Sequence, residues 1–177
     1  MSAVRDSLAA GPVRGLGCAN VVAAEAVGSP VLVRELVAAL QDEREVVVVR
    51  AANALKKVQI ERPELVAVYA KRILKAALGC EFLFAAWSLT VVVSRLPLKG
   101  RDRALGVELM FEALKSESAF LRTFALQGLV DFAREDAALR RRVRPIVEEF
   151  AANGTAAMRA RARKLLGEGK GLERKGR

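Results

Sequence analysis

Histidine is missing from all 177 residues, and there are only two cysteines, one tryptophan and one tyrosine. Without an imidazole the chain lacks the commonest general base and the commonest metal ligand. That excludes Ser–His and Cys–His nucleophile pairs and His-based metal centres. Cys18 and Cys80 are too few for a disulfide scaffold and form no recognisable zinc set, so a reducing compartment is expected. The Met1–Ser7 start has no basic segment running into an apolar one and carries Asp6, so no signal peptide is expected. The longest uncharged apolar run, residues 82–93, is twelve residues, against the roughly 20 that cross a bilayer. A cytoplasmic protein with no membrane partner follows as the expectation. No Gly-rich phosphate loop, carboxylate cluster with metal spacing or activated nucleophile is visible, so no catalytic residue, cofactor site or metal site is assigned and the chain is not expected to be an enzyme.

What is present is a repeat. Ala51, Ala85, Ala125 and Ala162 recur at intervals of 34, 40 and 37 residues, each four residues before a leucine: Leu55, Leu89, Leu129 and Leu166. With the alanine at position 5 of a helix, positions 1, 5, 8, 9 and 12 form one stripe. Small residues at 5, and mostly at 8 (Ala54, Ser88, Gly128, but Leu165), allow close helix approach while the leucine fills the groove beside them. Upstream of each stripe lies a second apolar-periodic segment: 30–41, 63–78, 102–115 and 136–152. Ser29 before Pro30, Pro63 at a first turn, and Thr155 after Asn153-Gly154 are start signals. Pro145 predicts a bend or a late start in its helix.

Leu121-Arg122…Ala125…Gly128-Leu129 and Met158-Arg159…Ala162 resemble the second helix of HEAT repeats, where an apolar residue and arginine precede small residues and leucine. Val48 and the pair Glu81-Phe82 stand where the other two repeats depart from that pattern, and Val13-Arg14…Gly17…Val21 suggests a fainter fifth unit. The resemblance implies an all-α, right-handed α-solenoid of stacked antiparallel helix pairs, its second helices lining the concave side. One domain is expected over 1–166, with an irregular N-terminal pair in 1–28 and a flexible basic tail at 167–177. In such arrays the arginine at position 2 (Arg14, Arg122, Arg159) bonds acids or carbonyls at an inter-helix turn, with Asp42, Glu117 and Asp136 as mates.

With the stripe buried, positions 4, 7 and 11 face outward. They carry Arg50, Asn53 and Lys57; Phe84, Trp87 and Val91; Phe124, Gln127 and Asp131; then Arg161, Lys164 and Glu168. An aromatic centre (Phe84, Trp87, Val91, Phe124) inside a basic rim (Arg50, Lys57, Arg161, Lys164) suits a protein partner of unknown identity. An alternative is that the nearly all-apolar helix over 82–93 is buried in the array or forms a homodimer contact. A second alternative follows from charge, because +8 of the net +10 lies in residues 140–177. Arg140, Arg141, Arg142 and Arg144 on one helix, with Arg159, Arg161, Arg163 and Lys164 on the next, offer a phosphate-binding patch for nucleic acid. The HEAT-like alkylpurine DNA glycosylases set an aspartate among tryptophans on the concave side. The acid nearest Trp87 in sequence, Glu81, is six residues away and off its helical face.

Overall fold

The computed structural model describes residues 3–11 and 15–168, and all its regular elements among these are α-helices. The chain divides into two compact units, Met1–Arg103 and Ala104–Arg177. The first holds α1 (Ala3–Ala9), α2 (Ala19–Val27), α3 (Pro30–Ala39), α4 (Glu45–Glu61), α5 (Pro63–Ala67), α6 (Ala70–Leu78) and α7 (Leu83–Ser94). The boundary falls in the first turn of α8 (Gly100–Leu114). The second continues with α9 (Ala119–Ala133), α10 (Ala137–Asn153) and α11 (Ala156–Glu168).

In the first unit α4 is the hub, packed against α1, α2, α3, α5 and α7. Its sequence explains that position: Val47, Val48, Ala51, Ala52, Ala54, Leu55 and Val58 are all buried, so apolar side chains ring the helix, and three alanines let neighbours close in. Before it, α3 starts as its residues dictate: Ser29 accepts the Leu32 N–H, and Pro30 stands at the first turn, where its missing N–H costs nothing.

The single helix expected over 63–78 is two. After Pro63–Ala67 the chain tightens, with the Tyr69 N–H bonded to the Val66 carbonyl, before α6 resumes and packs on α7. Such a three-residue closure rotates the following side chains relative to an α-helix. Ile73, Leu74, Ala76 and Ala77 thereby become one buried face, while Val68 at the break is exposed.

In the second unit α9, α10 and α11 pack on one another. Each starts on a hydroxyl or carboxylate: Ser118 accepts from Leu121 N–H, Asp136 from Leu139 N–H and Thr155 from Met158 N–H. α10 begins at Ala137, so Pro145 does not delay it; the proline lies inside the helix with its side chain exposed, and only the Arg141 carbonyl loses its ordinary donor. Between α10 and α11 the expected break at Gly154 is tight, since an added Cβ would lie 2.6 Å from the Phe150 carbonyl oxygen.

The repeat register lies in the interior. Ala51, Ala85, Ala125 and Ala162 are all fully buried, as are Leu55, Leu89 and Leu129 to within 1%. The last leucine departs: Leu166 is 37% exposed and its neighbour Leu165 is buried instead. The fainter N-terminal register also departs. Gly17 sits in a turn with φ +48°, outside any helix, and Val21 is exposed, because α2 starts only at Ala19 and buries Ala19, Val22, Ala23 and Ala26. Val13 and Arg14 of that register lie outside the described residues. α11 extends through Glu168, two residues into the expected tail, and residues 169–177 lie outside the described residues.

Candidate functional site

The N-terminal halves of α4 and α7, with residues 15 and 16, border an open cavity of about 480 Å³. Its walls are Val46, Val49, Arg50 and Asn53 from α4, with Glu45 at that helix's first residue, Phe84, Trp87 and Ser88 from α7, and Gly15 and Leu16. Helical spacing assembles it: residues 46, 49, 50 and 53 share one face of α4, and 84, 87 and 88 one face of α7. Arg50, Phe84 and Trp87, chosen from sequence as outward positions, are thus brought together.

Their environments differ from the expected aromatic centre and basic rim. Phe84 is 63% exposed and Trp87 half-buried, with Lys56 Nζ 4.1 Å from its ring centroid. Burial, then Lys57 and Arg95 nearby, lowers the Lys56 pKa, so the cation over the indole is held at some cost to its charge.

Arg50 is not a rim residue, because it is fully buried. The N-terminal segment folds over it, and its guanidinium donates to the carbonyls of Leu8 and Ala10, both at 2.7 Å, and of Gly15 at 3.4 Å. The planar fork explains the choice of arginine, since it serves several carbonyls of a curving chain at once. Asn53, placed outward by the same register, is also buried, and its Oδ1 has no hydrogen-bond partner. Lys57 is half-buried and donates to Asn20 Oδ1 of α2. These outcomes do not follow from the helical register of α4, which fixes the side that meets neighbouring helices and not what covers the other. The continuous valines 46–49 were the available signal, since a helix with apolar residues all round is covered on both sides.

Val91, also on α7, is half-buried. Phe124, Arg161 and Lys164 belong to the second unit. Phe124 is half-buried against Phe120, with ring centroids 5.6 Å apart. Arg161 donates to Gln127 Oε1 on α9, Gln127 donates to Asp131, and Asp131 pairs with Arg134, so outward positions of α9 and α11 are linked in one polar chain; Lys164 is exposed.

The basic residues of α10 and α11 divide by their contacts. Arg140 donates to the Ala133 and Arg134 carbonyls at the α9–α10 turn, Arg144 pairs with Glu148, and Arg142 lies 4.9 Å from the Phe111 ring. Arg141 and Arg163 are exposed. Of the position-2 arginines, Arg159 donates to the Gly154 carbonyl at the turn before its own helix. The expected acid mates do other work: Asp136 caps α10, and no ion pair joins Arg122 to Glu117, the Arg122 Nε being buried without a partner. Asp42 pairs with Arg44 and, at 3.9 Å, with Arg5, while Arg14 lies outside the described residues.

Burial pushes the Cys80 thiol pKa up, away from a reactive thiolate. Among the described residues no helix is long and apolar enough to cross a membrane, and no group of three or more Cys, Asp or Glu side chains is gathered to hold a metal ion. Comparison with protein-family models and with curated proteins finds no match to this chain.

Proposed function

We propose that the chain is a HEAT-like α-solenoid acting as a non-catalytic interaction module, which holds a protein partner through the outward ridge at the start of α7, one of its second helices. The observation that carries this reading is the start of α7, where Phe84 is 63% and Leu83 45% exposed beside half-buried Trp87. Large apolar side chains set in water next to an aromatic ring are what an interface hot spot supplies. The buried alanines in a common register support the repeat architecture behind it.

The nucleic-acid alternative draws on Arg141 and Arg163, but Arg140, Arg142, Arg144 and Arg159 already bind carbonyls, a carboxylate or a ring within the fold. Phe84→Glu separates the readings, since an exposed position tolerates the change without unfolding. Proteins retained by the immobilised chain should be lost from the variant by ~30-fold or more, as for a hot-spot truncation, and should tolerate salt. Retention unchanged by Phe84→Glu but abolished by Arg141→Glu with Arg163→Glu, with steep salt dependence, refutes the reading in favour of nucleic acid. A dimer in sedimentation that Phe84→Glu dissolves makes the ridge a self-contact.

A further inference from the structure

The recess bordered by Phe84 and Trp87 of that ridge supports a second assignment, which is tested apart from the protein-binding reading. We propose that the cavity between α4, α7 and residues 15 and 16 binds a small neutral aromatic molecule carrying one hydrogen-bond donor, of the phenol or indole class. Its volume of about 480 Å³ falls among small-ligand sites. Leu16, Val46, Val49, Phe84 and Trp87 supply the apolar surface such a molecule needs.

The decisive group is Asn53. It is 3% exposed, lines the cavity, and its Oδ1 is buried without a partner. A buried carbonyl oxygen left unpaired is costly, and proteins seldom keep one where an apolar side chain of similar size would fit. An N–H or O–H on the occupant satisfies it. The wall carries one charge of each sign, Glu45 and the fully buried Arg50, the latter held by its hydrogen bonds to the Leu8, Ala10 and Gly15 carbonyls, and this balance suits a neutral occupant.

Trp87 is the only tryptophan of the chain and lines the cavity, so its fluorescence under selective excitation reports occupancy directly. The probes are 4-methylphenol and para-xylene, which share a shape and differ by the hydroxyl. Transfer out of water favours the xylene, so a site that prefers the phenol must hydrogen-bond it. We expect the 177-residue chain to bind 4-methylphenol at least ~10-fold more tightly than para-xylene, and Asn53→Leu to abolish that preference while keeping xylene affinity. Val49→Phe, which fills the cavity from another position, should abolish binding of both and covers the case in which Asn53→Leu does not fold. Equal affinity of the two probes for the wild-type chain, a preference that survives Asn53→Leu, or no fluorescence change with either probe at millimolar concentration would each overturn the assignment.

Discussion

Replacing Arg50 by methionine tests the buried guanidinium that organises the first unit. Methionine preserves most of the side-chain volume and removes every donor. Arg50 is fully buried and makes two bonds of 2.7 Å to the Leu8 and Ala10 carbonyls and a longer one to Gly15. A hydrogen bond from a charged donor contributes roughly 1.5–3 kcal/mol, so the two short bonds together amount to about 3–6 kcal/mol. Two effects lower the expected loss: residue Ala10 is exposed, so water can replace its bond, and the substitution also removes a charge from the interior. The expected destabilisation is therefore about 3 kcal/mol, a large part of the total for a unit of this size. Because the acceptors lie in the last turn of α1 and between α1 and α2, the loss should be local at first. Amide exchange should accelerate in 3–11 and 15–27 before it does in α7, while urea titration shows a lower midpoint. A variant within ~0.5 kcal/mol of wild type, or one whose exchange rises uniformly, would refute the idea that Arg50 clamps the N-terminal segment onto α4.

Gly17→Ala should destabilise by about 2 kcal/mol in the same titration, because φ is +48° there and the new Cβ would stand 2.5 Å from Arg50 Cζ. Asp136→Ala removes the acceptor of the Leu139 N–H and should cost about 1 kcal/mol in thermal unfolding, whereas Asp136→Ser should recover most of it. The hydrogen bond from the Arg44 guanidinium lowers the Asp42 pKa from 3.8 to about 2. Since the folded value is the lower one, this contribution is complete above pH 4, declines as pH falls, and is gone below about 2. Asp42→Asn should therefore flatten the stability profile across that acid window and leave other slopes unchanged, as followed by circular dichroism against pH.

The all-helical character, the positions of the second helices and the buried alanines were legible in the sequence because they depend on local spacing. A period of 3.6 residues puts positions 5 and 9 on one face whatever lies beyond it, and Ser29 and Thr155 cap helices through their own next turn. The break at Val68–Tyr69 was not legible, because a one-turn tightening leaves the apolar spacing on each side nearly intact. Nor was the irregular entry to α2, where Gly17 leaves the helical region altogether.

At the site, helical spacing sets Phe84 and Trp87 beside one another, whereas the burial of Arg50 and Asn53 does not follow from that spacing. Both kinds of residue obey the same helical geometry. The difference is that α7's outward positions stay partly in water, whereas a segment more than thirty residues earlier in the chain returns to cover those of α4. By itself, then, the order of amino acids determined which residues are helical and which face of each helix seeks the interior, since both follow from neighbours within a few turns. Tertiary structure alone decided that a guanidinium lies under a loop and a carboxamide faces a cavity, because those outcomes depend on which distant carbonyls and side chains share the space.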